Sequence, residues 1–443
     1  MYYNPLFLQT SEVQEAAFLS TDLGVLYQSI PFKKLACKIP APSFYKSGRG
    51  RKPFLNVEGG IALMFLKHYL GLSDELLIAR LNTDWSMQYF CGVQLGLRKI
   101  KDKNLVSWWR VYLGEHLDIA ALQSEFISYW KPLMQQRHVT MIDATCVESH
   151  LRYPTSVKLL WESCTKVYEL MQDIRKRLKL RASRSNYSKH EAAFLNYQRM
   201  RKKTNRKEKK LRKQLLKYLL RLLQGFHELV RCRGCKLKAR HRKLIATIEK
   251  VYEQQHELTY GNAQNVTDRI VSLHKPYIRP IVRGKETKRV EFGAKLHKLQ
   301  VDGISFIEHL SYENFNEGTR LKSSVAFHHK YFGKLSQLGA DRIYATNENR
   351  RYCNKLRIAN SFVAKGNEGK LATQKQQMRS ALSVVRATVL EGSFGNEKNH
   401  YLLNKVKART QNTERVWIFF AMMTANASII SGRMQQLSKR RCA

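Results

Sequence analysis

The chain has 443 residues, with 78 lysines and arginines against 35 aspartates and glutamates, a formal net charge of +43. So large an excess repels itself in a compact protein and is relieved by a polyanion, which points to nucleic acid and away from a merely basic protein. A hydrophobic fraction of 43% is enough for a sizeable core, and the length allows one large catalytic domain with appended modules.

The opening stretch, MYYNPLFLQTSEVQEAAF, lacks the basic-then-apolar pattern of a secretory signal and soon carries acids. A soluble protein working in the cytoplasm at the nucleoid is expected. Residues 1–50 read as a loose arm, made basic at its end by Lys46, Arg49, Arg51 and Lys52. GGIALMFLKHYL (59–70) has a helical pattern that Gly71 breaks, and Ser73 then caps SDELLIARL, whose first turn is acidic. KNLVSWWRVYLGEHL (103–117) reads as a further helix. Residues 51–132 thus form an N-terminal helical module, for which DNA binding and packing or dimerisation stand equally open. Trp108 and Trp109 read as core rather than as base-stacking residues.

At 138–149 the pattern changes: HVTMIDATCVES is a β-branched, apolar strand holding one acid, Asp143. A buried strand seldom carries a lone carboxylate without a partner or a task. Residues 157–257 are helical and basic, with nearly one-signed charge runs that favour a DNA backbone over a merely solvated face. Lys202, Lys203, Arg206 and Lys207 lie in the densest run. One CxxC, Cys232 and Cys235, has His227 and His241 nearby, but no second CxxC exists and the layout is unusual for zinc, so no zinc is expected. The eight scattered cysteines suit reduced thiols.

Strands return as DRIVSL, YIRPIVRG, KRVEFGAKLHKLQ and GISFIEHLSY between 268 and 312, with Val301-Asp302-Gly303 as a hairpin turn. There follow a helix over 322–336, a short strand ADRIYAT (340–346), a strand SFVAKG (361–366) and a long helix QKQQMRSALSVVRATVLE (374–391). The last apolar stretch, VWIFFAMMTANASII (416–430), falls short of the ~18 apolar residues that span a bilayer and reads as a buried helix, so no membrane partner is expected. The order is that of an α/β catalytic domain over 133–435, interrupted by a helical insertion at 157–257.

Cutting a phosphodiester needs a nucleophilic water or hydroxyl, neutralised phosphate charge and a stabilised leaving oxygen, which two divalent ions about 4 Å apart can supply. Magnesium prefers a few carboxylates and keeps waters for exchange. The residues to look for are therefore acids at strand ends and on an adjoining helix: Asp143 in the first strand, Asp341 at the short strand, and Glu391 on the late helix. Lys398 follows Glu391 by seven residues. If helix continues through Gly392 and Gly395 the two share a face, where a lysine can pair with the glutamate or hold a phosphate. Arg386, on the preceding turn, is a further phosphate candidate. Among competing acids, Asp302 is explained by its turn and Glu308 has no partner visible in the sequence. Glu397 would point about 120° off the Glu391 face, and Glu148 reads as a supporting group near Asp143. Spacing alone leaves each single assignment open.

Four stretches make the pattern more specific: MIDATCVESHLRYPT (141–155), YIRPIVRGKETKRVEFGAKLHKLQVDGISFIEHL (277–310), GADRIYATNENRRYC (339–353) and VVRATVLEGSFGNEKNHY (384–401). These residues resemble the DDE transposases of bacterial insertion sequences, whose signature places a lysine seven residues after the catalytic glutamate, as Lys398 follows Glu391. The family tends to have a tyrosine and an arginine before that glutamate, the arginine four residues upstream. Here Arg386 stands five upstream and no tyrosine precedes it in that helix, so the carry-over reaches Glu391 but leaves the role of Arg386 open. The resemblance runs over roughly 55–430 and takes in GLSDELLIARL and FCGVQL of the N-terminal module. It implies a ribonuclease-H-like core with Asp143, Asp341 and Glu391 as first, second and third acid, holding magnesium, with manganese as substitute. It also implies cleavage and strand transfer at the ends of a mobile element, with element-end and target DNA as partners and a homo-oligomer assembled on DNA. A structure-specific nuclease of the same fold and a non-catalytic nucleic-acid-binding protein are the alternatives.

Overall fold

A computed structural model describes residues 11–42, 53–181, 185–261, 263, 265–282, 290–366 and 369–442. The chain divides into two compact units, Met1–His150 with Ala294–Ser311 and Phe315–Ala443, and Leu151–Gly293 with Tyr312–Asn314.

The first unit opens with structure where the composition reads as a loose arm. Helices α1 (Ser11–Leu19), α2 (Asp22–Gln28) and α3 (Phe32–Ala36) bury Phe18, Leu26, Phe32 and Leu35. Four large apolar side chains within twenty residues carry enough area to hold three short helices down, which outweighs their weak individual propensity. Lys46, Arg49, Arg51 and Lys52 lie outside the described residues. Helix α4 (Val57–Leu70) is capped by the Asn56 side chain, which accepts from the Gly59 amide at 2.8 Å, and ends at Gly71 with φ 65°. Helices α5 (Asp74–Leu81), α6 (Trp85–Phe90), α7 (Leu105–His116) and α8 (Ile119–Trp130) follow. Asp74 ties three of them together, meeting Lys67 of α4 and Arg110 of α7, each at 2.9 Å. Only one of the paired tryptophans is core: Trp109 is buried, whereas Trp108 is 38% exposed and stacks on Tyr112.

Strand β1 (Val139–Glu148) leads into the second unit, made of helices α9 (Ser156–Arg177), α10 (Tyr187–Arg199), α11 (Asn205–Cys232) and α12 (Ala239–Tyr260) and strand β2 (Pro280–Val282). Helix α11 is amphipathic over 28 residues: Leu211, Leu215, Leu219, Leu222 and Phe226 recur every three or four positions and pack with Val167, Ile174 and Ile248 of α9 and α12. Its polar face and the turn before it expose Lys202, Lys203, Arg206 and Lys207. His227 is bound to Glu249 at 2.7 Å and His241 accepts from Arg240 at 3.1 Å, while Cys232 is exposed. The strand expected at DRIVSL does not form. Ile270, Val271 and Leu273 are buried there, but the Ile270 amide donates to the Gln254 side chain at 3.0 Å instead of to a ladder. Of YIRPIVRG, only Pro280–Val282 is strand, paired antiparallel with the start of β3 (Val290–Val301); residues 283–289 lie outside the described residues.

In the first unit the sheet order is β4, β3, β1, β5, β6. β3 and β4 (Ile304–Ser311) form an antiparallel hairpin whose turn places Asp302 and Gly303 at φ 50° and 77°. Asp302 does serve that turn, accepting from the Gln135 amide and from Arg433. After α13 (Leu321–Phe332), strand β5 (Gln337–Ala340) pairs parallel with β1, and β6 (Ala359–Asn360) pairs parallel with β5 beyond α14 (Asn347–Lys355). Both late strands lie ahead of their sequence patterns: β5 shares only Ala340 with ADRIYAT, and β6 ends before SFVAKG begins. β5 stops before Asp341 because the aspartate accepts from the Arg342 amide and starts a 3-10 turn, a local bond that competes with the ladder. β6 stops because the Ser361 hydroxyl takes over, accepting from the Ala340 amide and donating to its carbonyl. Helices α15 (Ala372–Val385), α16 (Glu391–His400) and α17 (Gln411–Cys442) complete the chain. Asn426 in the apolar α17 satisfies both the amide and the carbonyl of Ser305, which explains a polar side chain in a buried helix. Among the described residues no helix is long and apolar enough to cross a membrane.

Candidate active site

Register alone brings the first two acids together. β1 and β5 run parallel with Ile142 opposite Ala340, so Asp143 and Asp341 are the next residues on adjacent chains. Each carboxylate is steadied the same way, its Oδ1 accepting from the following amide at 2.7 Å: Ala144 for Asp143, Arg342 for Asp341. Asp143 is the more enclosed, its side chain 15% exposed against 53% for Asp341.

The third acid arrives on a helix that does not stop where the long sequence pattern ends. Between α15 and α16 the chain winds as a single π turn, Arg386–Leu390, and α16 continues through Gly392 and Gly395 to His400. In an α-helix, residues five apart differ by about 140° around the axis. A π turn bonds i to i+5 and returns them to one face. Arg386 and Glu391, five apart, therefore meet, with Arg386 Nη1 3.0 Å from Glu391 Oε1. The same Nη1 donates to Asp143 Oδ2 at 3.0 Å, and Nη2 lies 3.9 Å from Asp341 Oδ1. Three acids separated by up to 248 positions in sequence thus converge on one guanidinium. The packing of Leu390 and Leu382 against Met141 of β1 seats this turn on the sheet. Lys398 also reaches β1, donating to Thr145 Oγ1 at 3.0 Å, two residues from Asp143 and so on the same strand face.

Several supporting residues escape a reading of spacing. Lys298 of β3 is fully buried, donates to Glu397 Oε1 at 2.7 Å and Ser393 Oγ at 2.6 Å, and lies over the Phe394 ring. Glu397 does point away from the Glu391 face, and what it faces is this lysine. Burial pulls the Lys298 amine down and pushes the Glu397 carboxyl up, and their mutual contact works against both. The pair pins α16 to the sheet. A lysine inside an otherwise buried strand was the signal available for it. Glu308 likewise has partners: His297 at 2.9 Å and Arg320. Burial works to raise Glu308, but those two contacts prevail and hold it below the usual carboxylate range. His297 continues to the Tyr344 hydroxyl at 2.8 Å, and Tyr344 belongs to the turn that follows Asp341. Glu148 ends β1, where its carbonyl accepts from Val406. The basic residues of α11 and the turn before it belong to the second unit, and this cluster of acids to the first.

The donor set suits a divalent ion in kind, since all three groups are hard carboxylate oxygens aimed at one cation. Among the described residues no three metal-ligating side chains already stand at ion-sharing distance; the acids meet through the guanidinium instead.

A family model described as "Transposase DDE domain" matches residues 338–427, and one described as "Transposase domain (DUF772)" matches residues 20–111. The first takes in Asp341, Arg386, Glu391 and Lys398; Asp143 lies outside both. No curated protein and no solved structure matches the chain.

Asp143 titrates unusually. Burial pushes its carboxyl up from 3.8 to about 6; the Ala144 amide and Arg386 oppose this, while Glu317 and Asp341 add to it. With the folded value above the unfolded one, the folded chain binds the extra proton. That stabilising contribution is complete below about pH 4 and is lost as pH rises through about 6. Asp143→Asn removes that contribution. Urea unfolding across this range should therefore show the variant gaining on the parent between pH 4 and 7, by up to about 3 kcal/mol. A difference that stays flat with pH would contradict the assignment.

Proposed function

We propose that this chain, which belongs to the DDE transposases of bacterial insertion sequences, cuts and joins DNA at the ends of its own element with Asp143, Asp341 and Glu391 as its metal-holding acids. The observation that carries this is the convergence of the three carboxylates on Arg386. The reaction needs a divalent ion; the resemblance implies magnesium, with manganese as substitute, and an all-carboxylate site suits both. When bound, two such ions supply an activated water or 3′-hydroxyl and neutralise charge on the phosphate.

The chain's own residues do the rest. Asp143 presents Oδ2 while Ala144 holds its other oxygen still, which fixes the direction of the free lone pairs. Lys298 and Glu397 keep the helix of Glu391 in register with β1. Lys398 sets a positive charge beside Asp143, where a scissile phosphate must lie. The core is ribonuclease-H-like, supported by an antiparallel hairpin beside the parallel β1–β5–β6 set with an acid on each of β1 and the end of β5. The helical insertion after β1 grips DNA backbone through Lys202, Lys203, Arg206 and Lys207. The N-terminal helical module packs or binds DNA ahead of the core, and the chain works as a homo-oligomer on cytoplasmic, nucleoid DNA.

Incubation of the protein with a duplex carrying the element end, plus magnesium, should yield both nicked and joined strands. Asp143→Asn, Asp341→Asn and Glu391→Gln should each abolish both products and keep DNA binding within about threefold, because phosphate affinity comes from distributed bases. Wild-type cutting by any of the three would remove that residue from the site, and cuts without joined strands would make the chain a nuclease. Changing Lys202, Lys203, Arg206 and Lys207 together to Gln should flatten the slope of log affinity against log salt by up to about 3–4 on specific and random DNA alike. An unchanged slope in a folded variant would leave the insertion as a spacer.

A further inference from the structure

Arg386 and a divalent ion need the same atoms. Asp143 Oδ1 already accepts a backbone amide, which leaves Oδ2 turned into the site, and Arg386 Nη1 holds that oxygen and Glu391 Oε1 at 3.0 Å each, while Nη2 lies 3.9 Å from the amide-bound Oδ1 of Asp341. Magnesium sits about 2.1 Å from its carboxylate ligands. An ion and a guanidinium cannot both stand at that range from the same two oxygens without placing like charges in contact. The arginine is also not a loose surface group: its side chain is 18% exposed, and the π turn is what aims it.

We propose that Arg386 is the site's built-in counter-ion, a guanidinium that holds the three acids together and that metal loading displaces toward the DNA phosphate. This rests on the reading of the acids as the metal centre. It makes metal and DNA binding reciprocal: an ion frees the arginine for phosphate, and a phosphate that takes the arginine opens the acids to the ion. A purely structural arginine predicts the opposite sign, because its removal would let three carboxylates drift apart and weaken the ion's hold.

Calorimetric titration of the full chain with manganese, without DNA, separates these. Losing the competitor in Arg386→Gln should tighten manganese binding by about tenfold or more. Arg386→Lys keeps the charge but has no planar fork to bridge three acids, so it should tighten binding by about threefold; it serves as the reading if the Gln variant fails to fold. Lys398→Gln removes an equal charge from the same helix and should change manganese affinity by less than about threefold. With calcium as a non-cutting ion, the gain in affinity for a random duplex on adding the ion should be clear in the parent and lost in Arg386→Gln. Weaker or unchanged manganese binding in both Arg386 variants would overturn the proposal, as would an equal gain from Lys398→Gln. Asp143→Asn and Glu391→Gln locate any failure. If they abolish manganese binding while the arginine variants leave it unchanged, only the competition falls. If they too leave it unchanged, the acids are not the metal centre and both readings fall.

Discussion

Carboxylates that converge without a cation among them repel, and burying one of them adds the larger cost of taking its charge out of water. The architecture around β1 follows from meeting that constraint. The parallel register of β1 and β5 brings Asp143 beside Asp341, and a helix delivers Glu391 together with the arginine that makes the cluster tolerable. Burial still wins at Asp143, whose carboxyl is pushed up to about 6 even with the guanidinium in contact.

Because the cluster joins three separate segments, the polar contacts behind it matter as much as the acids. Lys298 and Glu397 form an ion pair with almost no solvent access, an arrangement whose desolvation cost makes it a poor source of stability. Its value lies in register: α16 satisfies both buried charges in one seating on β3 only. The chain from Glu308 through His297 to Tyr344 does the same for the turn after Asp341, and Asn349 closes that turn by donating to the Tyr344 and Gly318 carbonyls.

Much of this was legible beforehand where the signal was local. A lone aspartate in a β-branched run marked Asp143 and paired turn residues marked the β3–β4 hairpin, whereas Glu391 and Lys398 stood out only through the resemblance to the transposase signature and its seven-residue step. What escaped depended on contacts between distant segments. Nothing in RATVL announces a π turn; it exists because Leu390 packs on Met141 and Arg386 finds three acids. That turn puts residues five apart on one face, so Arg386 meets Glu391 although it stands one residue farther upstream than the arginine of the transposase signature. The helical angle turns Glu397 away from Glu391, but its partner Lys298 lies 99 positions away in the sequence. DRIVSL looks like a strand because its apolar residues are buried, and only the Gln254 side chain explains why no ladder forms. The early helices α1–α3 were missed because short helices are held by packing rather than by pattern.

The most direct test of the account is the position of the metal itself. Crystals of the protein grown with manganese, measured at the manganese absorption edge, should show anomalous density among Asp143 Oδ2, Asp341 and Glu391 Oε1, with the Arg386 guanidinium moved off those oxygens. Anomalous density elsewhere, or none while Arg386 still bridges the three acids at saturating manganese, would contradict it.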